Sequence, residues 1–285
     1  VMVSSCGEAA VSGISLVDSI NFLLITLFSS LATGGAVIAS QYIGRGDHKS
    51  ASLAAKQLFY ASLALSAVLG IIAVFFRKPV LNMVFGSIEA DVMAHAQIYF
   101  LLSAISYPFL AVYNAGAALF RSMGDSRTTM LISILMNTIN IVGNAILIYG
   151  FQMAAAGAAT ASLVSRAVGA IIITVLLLNP HRIIFYDKLH KPEIHLSMLK
   201  SILQIGVPNG LENSIFQIGK ILVASIVSGF GTISITANAV AGNLASLQVI
   251  PGMALGMAMI TVVGQCIGAK DYELSLIHIS EPTRP

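Results

Sequence analysis

The phrases QYIGRGD (41–47) and QCIGAKD (265–271) decide the fold, because each ends a long apolar stretch with the same polar residues. Gln, Ile, Gly and Asp recur at the same offsets, at a constant separation of 224 residues (265 − 41). Extended backwards at this offset, residues 9–47 align with residues 233–271 without a gap, mainly by apolar pattern. Gly and Asp also suit the end of one helix and the start of the next. The alignment nevertheless predicts an internal repeat whose two equivalent helices point the same way.

The composition indicates a membrane protein. Apolar residues make up 56% of the chain, charged residues 9%, and the mean hydropathy is +0.88. A soluble domain carries about 25% charged residues, so this chain has too few charges to cover a water-exposed surface. The formal net charge of +3 is too small to indicate a nucleic-acid partner.

Seven stretches are long enough to cross about 30 Å of hydrocarbon, which takes about 20 residues each. Three of them contain a proline, Pro108, Pro208 or Pro251, and we expect kinks there because proline lacks the N–H of a helix bond. The sequence therefore predicts an all-α polytopic membrane protein. The predicted spans are 13–41, 53–76, 92–120, 129–150, 154–178, 200–229 and 234–268.

Basic residues set the predicted orientation, since cytoplasmic loops carry an excess of Lys and Arg. One side holds only Arg77 and Lys78. The other side holds ten, namely Arg45, Lys49, Lys56, Arg121, Arg127, Arg182, Lys188, Lys191, Lys200 and Lys270. Both repeated phrases are therefore predicted to lie in the cytoplasm and residue 1 outside. Because no signal peptide precedes it, we expect at least one earlier span to be missing.

The spans divide into two lobes. Residues 1–178 are predicted to form most of a first lobe and residues 200–273 the start of a second. Residues 179–199 are the predicted cytoplasmic linker between them. The tail 274–285, LSLIHISEPTRP, resembles translated sequencing-adapter sequence and is predicted to be non-native.

The sixth span carries the strongest candidate site. Its polar residues Asn209, Glu212, Asn213, Gln217 and Lys220 fall at helical spacing on one broad face. The carboxylate of Glu212 could bind H⁺ or Na⁺ reversibly, or it could lie in the wet interface or in a structural ion pair. Lys220 lies about 12 Å further along the axis. It could compete with a cationic substrate, cancel a carboxylate elsewhere or extend outwards to the interface.

Three further ionisable or polar groups lie in the other spans. Asp18 and Asn21, one turn apart in the first span, could line the outward part of a cleft or lie at the headgroups. Arg166, half-way along the fifth span, is predicted to be a structural pin bonded to backbone carbonyls or a carboxylate rather than a substrate contact.

The fourth span carries a polar stripe of Ser133, Asn137, Asn140 and Asn144 at intervals of four, three and four residues. Amide side chains can bond one membrane helix to another, and they can also line a water-filled cavity. The stripe is compatible with both.

Several stretches carry a resemblance to a known family. They are GEAAVSGISL (7–16), ASQYIGRGDHKSA (39–51), ALFRSMGDSRTTM (118–130), NIVGNAILIYG (140–150), AAAGAATASLVSR (154–166) and IGVPNGLENSIFQIGK (205–220). Over roughly residues 1–273 the chain resembles the multidrug and toxic compound extrusion transporters, in their DinF-like bacterial branch. The resemblance implies twelve helices in two six-helix lobes, related as a parallel repeat. This chain would carry helices two to eight and be cut at both ends.

The resemblance also implies a function. Such transporters export bulky, often cationic, amphipathic compounds against inward H⁺ or Na⁺, in the bacterial inner membrane, without a cofactor and as monomers. Many members place an acidic residue in helix five where this chain has Asn144, so cation coupling through the first lobe departs from the family pattern. A lipid-linked precursor flippase of the same superfamily, a membrane scaffold or sensor and a non-transporting fragment are the alternatives. The chain lacks a Walker motif, and no enzyme activity is predicted.

Overall fold

The computed structural model describes residues 8–85, 90–186, 193–228 and 232–274, and its regular elements there are helical. The predicted all-α class is therefore confirmed. The helices are α1 (Glu8–Gly44), α2 (His48–Phe75), α3 (Arg77–Phe85), α4 (Ala90–Ser122), α5 (Ser126–Asn144, continued by a π-helical turn at Ala145–Gly150), α6 (Ala154–Leu177), α7 (Leu196–Ser228) and α8 (Thr232–Gly268).

The seven long helices correspond to the seven predicted spans. Within the described part of the chain, six are long and apolar enough to cross a membrane, namely α1, α2, α4, α5 with its π turn, α6 and the second half of α8. The remaining one, α7, has 33 residues, which is long enough, but it carries Lys200, Glu212 and Lys220. The short α3 was not predicted, since it starts at the basic pair Arg77 and Lys78 and is too short to cross a membrane. Leu81 is its fully buried side chain among those that the structure describes there.

Close contact between α1 and α4 forms the centre of the predicted first lobe. A Cβ on Gly13 of α1 would lie 2.9 Å from the carbonyl oxygen of Val92 on α4, so only glycine permits this approach. Phe28, Phe100 and Tyr107 fill the space beside the contact and are fully or almost fully buried. Small residues that let backbones approach are the usual basis of helix packing in membranes.

The same turn ends α1, α4 and α8. In each case an aspartate N–H bonds the carbonyl five residues earlier, at 3.0 Å from Asp47, 2.9 Å from Asp125 and 3.0 Å from Asp271. Each aspartate then accepts a hydrogen bond from the N–H three residues later, at 3.0 to 3.1 Å. Such a contact caps the next helix, where the first N–H groups lack partners. The hydrogen bonds from Ser50 hold the pKa of Asp47 below its usual range.

The predicted linker is docked on the first lobe at both of its described ends. Arg182 forms an ion pair with Asp125 at 3.1 Å. Tyr186 is buried, and its burial raises the pKa of the phenol. At the other end, the amide of Gln57 on α2 donates to the carbonyl of Glu193 and accepts from the N–H of His195. Residues 187–192 of the linker lie outside the described part.

The helices α7 and α8 lean against α1 near the predicted cytoplasmic side. The crossing with α7 is tight at Gly34, where a Cβ would lie 2.9 Å from the nitrogen of Gly206. Towards the opposite side, the exposed apolar residues of α8 include Leu247, Val249, Ile250, Met253 and Leu255. The close contacts of α1 with these two helices thus lie at the predicted cytoplasmic end, and the cleft predicted between the lobes would lie beyond them.

Candidate cation and substrate site

The polar residues of α7 lie just beyond the point where this helix contacts α1. A Cβ on Gly210 would still touch Ser30 of α1 at 3.5 Å. From residue 211 to 220, by contrast, most side chains are exposed. At about 100° per residue, the five predicted site residues share a face roughly 140° wide. Glu212 lies at the edge of that face furthest from α1.

The carboxylate of Glu212 is exposed and makes no hydrogen bond or ion pair with any residue that the structure describes. Beside it, Asn213 donates to the carbonyl and to the side-chain oxygen of Asn209, both at 2.8 Å. The Asn213 nitrogen is thus used within the helix, and its oxygen remains available as an acceptor. A carboxylate flanked by amide oxygens can hold a proton or a hard monovalent cation.

Lys220 is placed over an aromatic ring. Its ammonium nitrogen lies 4.9 Å from the centre of the Phe216 ring, a cation–π distance. Gln217, one turn before it along the same face, is half-buried. Lys220 and Glu212 therefore do not form an ion pair with each other, in agreement with their predicted separation of about 12 Å along the helix axis.

Asp18 and Asn21 belong to a hydrogen-bonded network between α1 and α4. The hydroxyl of Tyr99 donates to Asp18 at 2.9 Å, and that of Tyr107 donates to Asn21 at 2.8 Å. The Asn21 nitrogen reaches Asp18 at 3.4 Å and the Ser103 hydroxyl at 3.3 Å. Asp18 is exposed, whereas Asn21 is buried. Of these two residues, Asp18 is therefore the one that can be reached without disturbing the helix contact.

Arg166 of α6 extends the same network across the first lobe. Its guanidinium donates to the Ser106 hydroxyl at 2.7 Å, and Ser106 donates to the carbonyl of Ser103 at 2.6 Å. Arg166 thus bonds a serine hydroxyl, whereas a backbone carbonyl or a carboxylate was predicted as its partner. The α4 residues of this network were missed, although Tyr99, Ser103 and Tyr107 recur every four residues. That spacing is the signal that identified the stripe of α5.

The stripe of α5 bonds partly to α6. Asn140 donates to the Ser162 hydroxyl at 3.0 Å, and Asn144 donates to the Asn140 oxygen at 3.0 Å. The Asn144 oxygen is buried without a hydrogen-bond partner in the described part, and the helix changes to π geometry directly after it. Asn137 is exposed. The stripe thus joins α5 to α6 at Asn140. At Asn144 its side-chain oxygen remains an acceptor without a donor in the described part.

Comparison with known proteins identifies this arrangement. A family model described as MatE matches residues 1–146 and 208–275. The chain belongs to the MatE family. A relative from Thermotoga maritima, named a probable multidrug resistance protein NorM, is 28% identical over 279 residues, covering 94% of this chain and 58% of the relative. The Bacillus anthracis protein of the same name is 30% identical over 272 residues, covering 92% and 58%.

Other relatives and solved structures agree. YisQ of Bacillus subtilis, named an uncharacterized transporter, is 27% identical over 285 residues, covering 95% of this chain and 60% of the relative. The fold matches a crystal structure of MATE in the bent conformation with a TM-score of 0.90 at 22% identity, covering 97% of this chain and 62% of that one. The chain thus spans about 60% of the length of its curated relatives.

Family membership confirms several predictions. This MatE chain is a multi-pass plasma-membrane protein and not an enzyme, and its relatives are named a transporter or probable multidrug resistance proteins. The lobe and linker boundaries, the DinF-like branch, the monomeric state and the roles of individual residues stay predictions. The predicted non-native tail lies outside the described residues except for Leu274.

Proposed function

We propose that the full-length protein is a secondary antiporter that exports bulky amphipathic, often cationic, compounds in exchange for H⁺ or Na⁺. Its relatives carry multidrug resistance names. The observation that supports the coupling step is the exposed carboxylate of Glu212 on α7, which makes no hydrogen bond or ion pair with a residue that the structure describes. Ionisable residues in membrane helices are costly and usually serve an ion or substrate path.

The proposed coupling acts through the two lobes. The cleft between the lobes would be closed where α1 meets α8 and open on the other side, and rocking of the lobes would reverse this. Binding of H⁺ or Na⁺ at Glu212 would favour one arrangement, and binding of substrate the other. The coupling can be only as large as the difference in affinity between the two arrangements.

The amides of α5 would contribute polar contacts rather than a second coupling carboxylate. Asn144 stands where many family members have an acidic residue, and an amide cannot change its charge with the bound ion. Asn137 and the free oxygen of Asn144 are the first-lobe groups that would contact substrate or ion. Asp18 would line the outer part of the path.

The test is efflux by the full-length protein in proteoliposomes, with a pH gradient and a Na⁺ gradient imposed separately. Glu212→Gln keeps the shape of the side chain but cannot bind and release a proton, so we expect gradient-driven efflux of a cationic dye to be abolished. Glu273→Gln, at an exposed residue outside the spans, is the matched control. Normal coupled efflux by folded Glu212→Gln protein would disprove the role.

The flippase alternative requires cationic residues facing the cleft. One structure of this fold, from Pyrococcus furiosus, is described as having a binding pocket of reversed polarity, at a TM-score of 0.85. In the present chain Arg166 is bound to Ser106 inside the first lobe and Lys220 is stacked on Phe216. Both cations are thus engaged, which favours the antiporter. Absence of efflux under either gradient would favour the flippase, or a protein without transport activity.

A further inference from the structure

Two side chains of α8 bond the end of α4, although these helices belong to different lobes. The amide of Gln265 donates to the carbonyl of Ser122 at 2.8 Å, and the hydroxyl of Thr261 donates to the carbonyl of Arg121 at 3.0 Å. The last four carbonyls of a helix have no partner within it. Side chains of α8, in the second lobe, therefore donate to carbonyls at the end of α4 that have no partner within that helix.

The two repeated phrases contact each other reciprocally at the same place. A Cβ on Gly44 would lie 2.8 Å from the Cα of Gln265, and a Cβ on Gly268 would lie 2.9 Å from the Cα of Gln41. These two contacts are equivalent, because Gly268 corresponds to Gly44 and Gln265 corresponds to Gln41 at the repeat offset of 224 (268 − 44 and 265 − 41). The crossing of α1 and α8 is thus locally two-fold symmetric.

The position of the local axis is fixed by a third contact. A Cβ on Gly264 would lie 2.8 Å from the Cβ of Ser40. These two positions are themselves equivalent (264 − 40 = 224), and a residue that contacts its own equivalent lies on the two-fold axis. The axis therefore passes between α1 and α8 one turn before the repeated glycines.

The symmetry relates each hydrogen-bond donor of α8 to an equivalent position in α1. Gln265 corresponds to Gln41, and Thr261 corresponds to Val37, whose side chain has no hydrogen-bond donor. Gln41 is half-buried, and its amide makes no hydrogen bond to any residue in the described ranges. Its counterpart acceptor would be the last turn of the second-lobe helix equivalent to α4, which this chain does not include.

We infer that Gln41 and Gln265 form a two-fold clasp that holds the cytoplasmic side of the cleft shut, each glutamine bonding the end of the opposite lobe's fourth helix. The inference rests on the proposed two-lobed transporter. Opening towards the cytoplasm breaks both bonds. The loss of one hydrogen bond of ordinary net strength shifts such an equilibrium about fivefold, and two independent losses shift it about 25-fold.

The test is the rate at which a cysteine above the clasp reacts from the cytoplasmic side. Thr33 lines a small cavity between α1, α4 and α8, beside Arg121 and Thr261. Thr33→Cys is introduced into the full-length protein, with the native cysteines replaced by serine, and labelled with a membrane-impermeant maleimide in inside-out vesicles. We expect Gln265→Leu and Gln41→Leu each to raise the labelling rate about fivefold, and the double variant about 25-fold.

The control is Gln204→Leu, at an exposed position near the start of α7, which should leave the rate unchanged. Equal labelling of all variants would overturn the clasp, and an effect of Gln265 without an effect of Gln41 would overturn its symmetry. If the leucine variants fail to fold, Gln265→Glu replaces the amide donor with an acceptor of the same size and should raise the labelling rate instead. A folded Gln265→Glu variant that is labelled at the rate of the parent would also overturn the clasp. Labelling needs no gradient and no flux, so failure of the antiporter proposal is detected separately.

Discussion

The hydroxyl of Tyr107 donates a 2.8 Å hydrogen bond to the side-chain oxygen of Asn21, and both side chains are buried between α1 and α4. Asn21 was predicted as a candidate for substrate or cation binding. Its oxygen bonds Tyr107 and its nitrogen contacts Ser103 and Asp18, so the amide is largely occupied within the lobe. We therefore expect Asn21 to affect transport through the stability of the α1–α4 contact rather than through ligand binding.

Tyr107→Phe should destabilise the first lobe by about 1–3 kcal/mol, because it leaves the Asn21 oxygen buried without a donor. The measurement is thermal unfolding in detergent. Tyr149→Phe removes a hydroxyl from an exposed ring and should change the midpoint little. Equal midpoints for the two variants would contradict the structural role of Asn21.

Gly44→Ala and Gly268→Ala should each weaken the crossing of α1 and α8 by about 1–3 kcal/mol, the usual cost of overpacking. The new methyl group would meet a backbone carbonyl of the opposite helix, which cannot rotate away as a side chain could. Thermal stability of the purified protein measures the effect.

Gly219→Ala is the matched control for these variants, since no atom lies within 4 Å of its Cβ position. It replaces a glycine inside α7 and should be neutral or stabilising by up to about 1 kcal/mol. Destabilisation by all three substitutions alike would show that glycine loss in a helix, rather than the crossing, is responsible.

Lys270→Gly should stabilise the turn after α8 by about 1 kcal/mol, because Lys270 has a φ of 63° and left-handed backbone is costly for residues with a Cβ. The equivalent turns have Gly46 at 74° and Gly124 at 81°. Gly46→Ala should correspondingly destabilise by a similar amount. The free energy of unfolding of each variant, compared with that of the parent, measures both effects. A loss of stability in Lys270→Gly would contradict the argument.

The sequence predicts the helices well and their side-chain partners poorly. Hydropathy places the spans within a few residues, and the phrase ending in Asp47 correctly indicates a helix end followed by a cap. It cannot show that Gln265 bonds Ser122, because the two residues are 143 positions apart and only the packing of α8 on α4 brings them together. Similarly, the π turn after Asn144 leaves no signal in the apolar residues that form it.

The sequence predicts the part of the candidate site that lies on a single helix, but not the contacts between helices. The α7 residues share a face because helical spacing alone fixes that relationship. The Asp18 network instead needs Tyr99 and Tyr107, whose apolar rings make them count towards the span rather than towards a polar site. Polar residues that recur every four positions in an apolar helix are the better signal, whether they are amides or tyrosines.

The ion pair between Asp125 and Arg182 should make docking of the linker depend on pH. Burial alone would raise the pKa of Asp125, but hydrogen bonds from Thr128 and Arg182 outweigh it and lower the pKa below its usual value of about 3.9. A carboxylate with a lowered pKa stabilises the folded form above its unfolded pKa. That contribution is lost as the pH falls through the lower folded value. The linker should therefore stay docked at neutral pH and loosen below about pH 4.

Hydrogen exchange of the Tyr186 amide, which donates to the carbonyl of Leu177 at 2.6 Å, reports this docking. At neutral pH, Arg182→Gln should speed exchange about twofold, the effect of a surface ion pair, and should leave the cap of α5 intact. Asp125→Asn should do the same, since asparagine caps a helix as well as aspartate does. After correction for intrinsic exchange, only the parent should lose protection between pH 5 and pH 3. The same loss in Asp125→Asn would assign the pH dependence to another group.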